Sequence, residues 1–274
     1  MSLNVERVNP LLGARVSGID LAAVNDATLA QIEAALVAHK VLFFEDQHWS
    51  AAQQKAFAER LGELHVHPVF EADPAVRELV VFAYDDKNKG ANDTWHADVT
   101  FAERPLKLGI LYAEEIPEVG GDTLWIDTEA AYRALSAPLQ DVFDKLSAIH
   151  DFCNARSPDT ALDIEGLERL RRVMPRPTQH PVIRTHPVSG NKSIYVNRAF
   201  TTHIAGVSRL ESEHLLALLL QHLQIPEFQM RWRWKKNTVA IWDNRSTQHL
   251  AVADYFPARR RVRRAAVLEE ARPV

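Results

Sequence analysis

The sequence predicts a mainly β domain with flanking helices, a β-sandwich or jelly roll carrying helices. Three observations predict it. Short β-branched and aromatic runs recur from Val41 to Leu268, and helical patterns are confined to the start and middle of the chain. No repeat, low-complexity tract or linker divides the 274 residues, so residues 1–274 are read as one domain with a large core.

The elements follow in order. Ala27 to Lys40 places Leu29, Ile32, Ala35 and Leu36 on one helical face. Val41 to Phe44 is a short apolar strand. Ser50 N-caps a helix through Leu61, which Gly62 ends. Leu79 to Tyr84 is β-branched and aromatic, hence a strand. Leu106 to Ala113 and Asp122 to Ile126 read as strands around the turn at Gly120-Gly121. Thr128 to Leu135 and Ala137 to Leu146 are predicted helices, and Ala148 to Cys153 a strand. Residues 154–179 are polar and proline-punctuated, a candidate lid with one helix from Ile164 to Val173. Strands are predicted at His180 to Thr185 and Ser193 to Val196. A helix from Ser208 to Leu223 is predicted to bury Leu215, Leu218 and Leu219. The chain returns to β at Gln229 to Trp234, Thr238 to Trp242 and Val262 to Leu268.

Composition excludes several classes. Hydrophobic residues are 46 % and charged residues 25 %, an ordinary globular mix, and the net charge of −4 argues against a nucleic-acid partner. The single cysteine, Cys153, rules out an intrachain disulfide and fits a reducing compartment. Met1 to Arg7 lacks the apolar core of a signal peptide, and no run approaches the roughly 20 apolar residues of a membrane span. The expectation is a cytoplasmic protein without a membrane partner. A homo-oligomer is compatible with the sequence.

The chemistry begins at Trp95-His96-Ala97-Asp98. On an extended strand His96 and Asp98 point to one face. A third imidazole brought to that face completes a two-histidine, one-carboxylate triad. Such a triad holds one face of a metal and leaves the other open, as in non-haem Fe(II) oxygenases. With 12 histidines in the chain, one His-x-Asp is weak by itself, and His65-x-His67 competes on the same face rule. His186 reads as a turn residue, while His150, His214 and His222 read as packing histidines. In Arg259-Arg260-Arg261-Val262-Arg263-Arg264, strand alternation puts Arg260, Val262 and Arg264 on one face and leaves Arg259, Arg261 and Arg263 solvated on the other. Arg231-Trp232-Arg233-Trp234 reads as cross-strand aromatic packing with solvated arginines.

The joint spacing says more. Thr123 follows Asp98 with 24 residues between, and Arg260 follows His249 with 10 between. Together with Asp93 to Phe101, Gly120 to Trp125, Arg184 to Gly190, Arg231 to Trp234 and Ala240 to His249, this pattern resembles the Fe(II)- and 2-oxoglutarate-dependent dioxygenases of the taurine dioxygenase group, which include alkylsulfatase and 2,4-dichlorophenoxyacetate dioxygenases. The resemblance covers nearly the whole chain. It implies a double-stranded β-helix (jelly roll), Fe(II) held by His96, Asp98 and His249, and 2-oxoglutarate and O2 as co-substrates. It also implies that Arg260 and Thr123 bind the distal carboxylate of 2-oxoglutarate, for which a planar two-pronged guanidinium is suited. Trp95 and Trp242 are expected in the core or behind the ligands, and Asp243-Asn244-Arg245 is expected to order the loop bearing His249.

The resemblance further implies a small anionic substrate. His67, Phe70, Asn92, Val99, Phe200 and Arg264 match the pocket that holds an amino-sulfonate, with Arg264 and His67 on the sulfonate and His65 a bystander. Two positions depart from it. Phe70 stands where the family has a tyrosine, and Arg156 falls where it has a pocket phenylalanine. Losing a hydrogen bond to a charged group costs about 1.5–3 kcal/mol, enough to alter preference. The expected reaction is hydroxylation of a small organosulfonate such as taurine at the carbon bearing sulfur, releasing sulfite and an aldehyde. The alternative is the same chemistry on an alkyl sulfate ester or another small anion. Three other classes compete: a zinc hydrolase using the same triad, a catalytically silent jelly-roll binding protein, and a nucleic-acid binder through the arginine run.

Overall fold

A computed structural model of the chain describes residues 3–88, 93–154 and 164–274. The strands are β1 (Asn4–Arg7), β2 (Ala14–Ser17), β3 (Val41–Phe44), β4 (Ala72–Asp73), β5 (Val76–Tyr84), β6 (Leu106–Glu115), β7 (Thr123–Asp127), β8 (Ser147–His150), β9 (Thr178–Pro181), β10 (Ile183–Thr185), β11 (Lys192–Ile194), β12 (Thr201–Ile204), β13 (Gln229–Trp232), β14 (Val239–Asp243), β15 (Thr247–Ala251) and β16 (Arg260–Leu268). The helices are α1 (Asp26–His39), α2 (Ala51–Glu59), α3 (Thr128–Ala134), α4 (Ala137–Phe143), α5 (Ile164–Val173) and α6 (Arg209–His222).

One large sheet runs β1-β2-β3-β14-β6-β16-β5-β4, and a small sheet runs β13-β7-β15. Strands β12-β8-β9 and the pair β10-β11 complete the β-structure. The large sheet is covered on both faces, which explains why its central strands read as unbroken apolar runs. In β3, Leu42 and Phe44 face a core beneath α1 and α2, while Val41 and Phe43 face a second core against the small sheet. Strand β14 repeats the division, with Val239 and Ile241 on the helical side and Ala240 and Trp242 between the sheets. Phe43 stacks on Trp232 at 3.7 Å, so the inter-sheet layer is aromatic. A third core gathers α3, α4 and α6 outside the small sheet.

Local chemistry sets the helix starts. Ser50 and Ser208 each close a capping box, with Gln53 and Glu211 as the return partners. Asp127 accepts from the Glu129 and Ala130 amides and so starts α3. The inward face of α6 is Ser212, Leu216 and Leu219, with Leu215 half-buried. The expectation that Leu218 is buried is incorrect, because at 42 % exposed it lies well round the helix from that face.

One further expectation is refined and another revised. The strands predicted around Gly120-Gly121 are present but join different sheets, since β6 pairs with β14 and β16, whereas β7 pairs with β13 and β15. That turn carries the chain from one sheet to the other. The stretch around His249, expected as a loop, is strand β15 in the small sheet. Of the candidate lid at 154–179, residues 155–163 lie outside the described residues, and α5 has the bounds the sequence predicts. Among the described residues no helix is long and apolar enough to cross a membrane.

Candidate active site

The mouth between the two sheets gathers the predicted ligands. Strand β15 carries His249, and the chain ahead of β6 returns alongside it. His96 and His249 exchange two backbone hydrogen bonds, 3.1 Å for the His96 amide and 2.8 Å for the His249 amide. This narrow pair fixes the two imidazoles side by side, with ring centroids 4.2 Å apart. Asp98 is not on an extended strand as the spacing suggests. It opens a turn in which Val99 has φ 58° and the Ala102 amide donates to the Val99 carbonyl. A buried β-branched residue in that region is strained and persists only when its surroundings dictate it.

The turn nevertheless delivers the carboxylate. One donor atom from each of His96, Asp98 and His249 lies within 4.8 Å of the others. His96 Nε2 is 3.7 Å from Asp98 Oδ1, and His249 Nε2 is 3.6 Å from Asp98 Oδ2. His96 Nδ1 lies 2.7 Å from the Thr94 carbonyl, which can only accept, so that nitrogen carries the proton and Nε2 presents its lone pair.

Charge states agree with ligation. Burial pushes the His249 imidazole down to about 3, reinforced by His96, and burial likewise lowers His96. Burial works to raise the Asp98 carboxyl, but the Arg264 guanidinium, with His249 and His96, holds it well below the usual range. The set is therefore two neutral imidazoles and one ionised carboxylate. Asp98 Oδ2 is buried without a hydrogen-bond partner, an acceptor pointing where a cation would satisfy it. This donor set fits Fe(II).

Strand β16 carries the two predicted anion-binding arginines. Arg260 and Arg264, both buried, line one cavity with His96, Thr123 and His249, and no carboxylate is among its described lining residues. The two arginines are four residues apart, about 13 Å along a strand. Arg260 forms no ion pair among the described residues, and its Nε donates to the Gly121 carbonyl at 3.3 Å. Gly121 has φ 69°, and a Cβ there would sit 3.2 Å from Arg260 Cδ, so glycine serves both the turn and the arginine. Thr123 Oγ1 accepts from Trp234 Nε1 at 2.9 Å, which leaves its hydroxyl proton free to donate into the cavity.

A family model described as "Taurine catabolism dioxygenase TauD, TfdA family" matches residues 4–266. The chain belongs to this family. An alpha-ketoglutarate-dependent sulfate ester dioxygenase of Pseudomonas putida is 40 % identical, over 98 % of this chain and 91 % of that protein. An alkylsulfatase of Acinetobacter baylyi is 37 % identical, over 98 % of this chain and 86 % of that protein. The crystal structure of a taurine dioxygenase from Burkholderia xenovorans superposes with a TM-score of 0.85 at 34 % identity, covering 100 % of this chain and 91 % of that one. The fold is thus the jelly roll of this family. The protein is an oxidoreductase, a dioxygenase dependent on Fe(II), 2-oxoglutarate and O2. Family membership removes the zinc hydrolase and silent-binder readings.

The remaining predicted residues cluster with this centre, with two outside the description. His67 is buried, and its Nδ1 accepts from the Val69 and Phe70 amides at 3.2 Å each. Burial, then Arg264, pushes this imidazole down to about 3, so it is neutral with its proton on Nε2. Phe70 stacks on His67 at 4.1 Å. Phe200 lies 6.2 Å from His96 and 5.0 Å from Phe101, and Val99 packs in the same apolar cluster. His65 stands edge-on to His67 at 5.7 Å. Asn92 and Arg156 lie outside the described residues. Arg264 reaches the metal-site carboxylate itself, with Nη1 2.5 Å from Asp98 Oδ1.

Sequence reasoning missed several neighbours. Arg263, expected in solvent, is buried between Glu114 at 3.0 Å and the Trp49 carbonyl at 3.0 Å. Arg231 is exposed as expected, and it pairs with Asp122 at 2.6 Å. His186 is more than a turn residue, for its Nε2 donates to Asp243 Oδ2 at 3.0 Å while Nδ1 accepts two amides. Phe101 and Phe152 join Phe200 in one aromatic cluster, which no spacing signals because their segments only converge in the fold.

Proposed function

We propose that this dioxygenase acts on organic sulfate esters with an apolar group, and that small sulfonates are poorer substrates. The carrying observation is the shape of the charge. Two buried guanidinium groups stand in a cavity lined by no described carboxylate, and Arg264 lies over Phe82, whose ring leads on to Phe70 and Phe152. An amino-sulfonate brings an ammonium that finds no anionic partner among these residues. An apolar tail finds Phe70, Phe152 and Phe200. The names of the sulfate ester dioxygenase and alkylsulfatase relatives support the same class.

The family resemblance and the clustering of these side chains support the following roles. His96, Asp98 and His249 hold Fe(II), and Arg260 with Thr123 binds the distal carboxylate of 2-oxoglutarate. Arg264 and His67 Nε2 hold the sulfate, while Val99, Phe70 and Phe200 face the carbon to be oxidised, and the family resemblance assigns Asn92 to the same substrate. Iron, 2-oxoglutarate and O2 supply the oxidant for that C–H bond. The protein positions the carbon bearing the ester oxygen and excludes water. One oxygen atom enters that carbon and the other enters succinate as CO2 leaves. The hydroxylated ester then breaks its C–O bond to give an aldehyde and hydrogen sulfate. A sulfonate would break a C–S bond and release sulfite instead. The chain acts as one catalytic domain over residues 1–274, and its single cysteine supports work in the cytoplasm.

The test is O2 uptake by the Fe(II)-loaded protein with 2-oxoglutarate, on medium-chain alkyl sulfates, alkyl sulfonates and taurine. The proposal expects fastest uptake with an alkyl sulfate, matched by aldehyde and sulfate. Sulfite from taurine as the fastest reaction would overturn it.

A further inference from the structure

We infer that Asn244 is the positioning residue for the Asp98 ligand. This rests on the reading of His96, Asp98 and His249 as the metal site.

The argument starts from how each ligand is held. His96 and His249 fix one another through paired backbone bonds. Asp98 has no such partner strand. Its main chain is instead held by one side chain. Asn244 Oδ1 accepts from the Asp98 amide at 2.8 Å, and Asn244 Nδ2 donates to the Asp98 carbonyl at 2.9 Å. The amide therefore pairs with Asp98 as a neighbouring strand would. A third bond, from Nδ2 to the Leu106 carbonyl at 3.1 Å, ties this pair to β6. Asn244 is 1 % exposed, so these bonds are made away from water and none is replaced if it is lost.

The clamp sits beside the strained residue, since Val99 follows Asp98 directly at φ 58°. Asn244 itself is anchored. Its amide donates to the Lys107 carbonyl at 3.0 Å, and the preceding Asp243 is gripped by Arg245 at 2.6 Å and His186 at 3.0 Å. Five residues further along the chain stands His249. One turn thus fixes the main chain that carries the Asp98 carboxylate and leads into the strand bearing an imidazole ligand.

The experiment is Mn(II) binding by electron paramagnetic resonance, with saturating 2-oxoglutarate, on wild type and on Asn244→Ala, Gln47→Ala and His96→Ala variants. Gln47 is the control for a purely structural effect, because it too is a buried amide tying backbone groups, at Leu21, Ile19 and Glu45, far from the ligands in the chain. Asn244→Ala is expected to weaken Mn(II) by about 10–100-fold. Gln47→Ala is expected to lower the melting temperature and leave Mn(II) affinity within about twofold of wild type. Asn244→Ala binding Mn(II) like Gln47→Ala would overturn the inference. Wild-type binding that survives His96→Ala would overturn the metal-site reading instead. If Asn244→Ala does not fold, amide exchange in wild type decides: a slow Asp98 amide supports the clamp, and a fast one overturns it.

Discussion

Arg264 Nη1 lies 2.5 Å from Asp98 Oδ1, so a guanidinium that lines the cavity beside His96 and His249 also holds the carboxylate of that cluster. Both side chains are buried, at 6 % and 5 % exposure. Asp98 is left with Oδ2 unpartnered toward the imidazoles, while its other oxygen is occupied. Removing one partner of such a pair strands a buried charge, at a cost of about 3–5 kcal/mol. The metal-free Arg264→Met variant should lose stability of that order in urea denaturation. Mn(II) should restore more stability to this variant than to wild type, because the cation takes over the stranded carboxylate. Equal gains from Mn(II) in both would separate Arg264 from the metal site.

Arg260 and Thr123 should act on the co-substrate rather than on the sulfate. A hydrogen bond to a charged group contributes about 1.5–3 kcal/mol, so Thr123→Val should raise the KM for 2-oxoglutarate about 10–150-fold. Arg260→Ala should raise it further, because the two-pronged donor disappears entirely. In both variants the KM for the sulfate ester should change far less. Steady-state kinetics with each substrate varied in turn would reveal any crossover of the two effects.

The legible part of this site was the part whose chemistry resides in residue type and spacing. His96, Asp98, His249 and Arg260 are singled out in the sequence by type and spacing, and the structure brings them to one mouth. The route was less legible. Asp98 arrives on a strained turn, and His249 arrives on a strand that reads as loop because Thr247, Gln248 and His249 are polar. Those residues are buried with partners the sequence cannot display, such as the Asp243 carbonyl for Thr247 and the Val196 carbonyl for Gln248. Asn244 and Asp98 are 146 residues apart, and a side-chain amide bonding to backbone leaves no pattern in either segment. Strands β1 and β2 escaped for another reason. They are four residues long, partly exposed and carry few large apolar residues, so nothing in them stands out from the flanking loops.

Substrate preference should turn on Phe70. Its ring stacks on His67, the imidazole whose Nε2 proton is aimed by two backbone amides at Nδ1. Phe70→Tyr adds a hydroxyl beside the anion site and a polar group to the aromatic wall. The ratio of kcat/KM for taurine over a medium-chain alkyl sulfate should rise by about tenfold, the equivalent of one net hydrogen bond. A ratio that stays fixed would remove Phe70 from the specificity wall.

Acid should destabilise the metal-free protein through its buried histidines. Burial pushes His150 down to about 3, and His65 to about 4, from an ordinary 6.5. Between those values the unfolded chain binds protons that the folded chain refuses. Stability is therefore full above about pH 6.5 and falls as pH drops toward the folded values, by up to about 1.4 kcal/mol per pH unit for each such group. His150 is fully buried beside Thr100 and is not itself one of the proposed ligands. A His150→Gln variant should show a shallower loss of stability between pH 6.5 and pH 4 than wild type, in denaturation at fixed temperature. Parallel curves would assign the acid sensitivity to other groups.

Gly109 should prove to support the iron site from behind. In the β6–β14 register it faces Trp242, and a Cβ at Gly109 would lie 2.1 Å from the indole. The Trp242 ring in turn lies 4.9 Å from the His249 ring. Gly109→Ala therefore cannot be absorbed locally, because Trp242 is 1 % exposed and its displacement pushes on a ligand. Overpacking of this kind costs about 1–3 kcal/mol. Mn(II) affinity should fall together with stability, since the strain reaches His249. Trp242→Phe removes the part of the ring that meets the new methyl, so the Gly109→Ala, Trp242→Phe double variant should recover Mn(II) affinity relative to Gly109→Ala alone. A coupling free energy near zero in that double-mutant cycle would mean the methyl acts elsewhere, for contacting residues couple by about 0.5–3 kcal/mol.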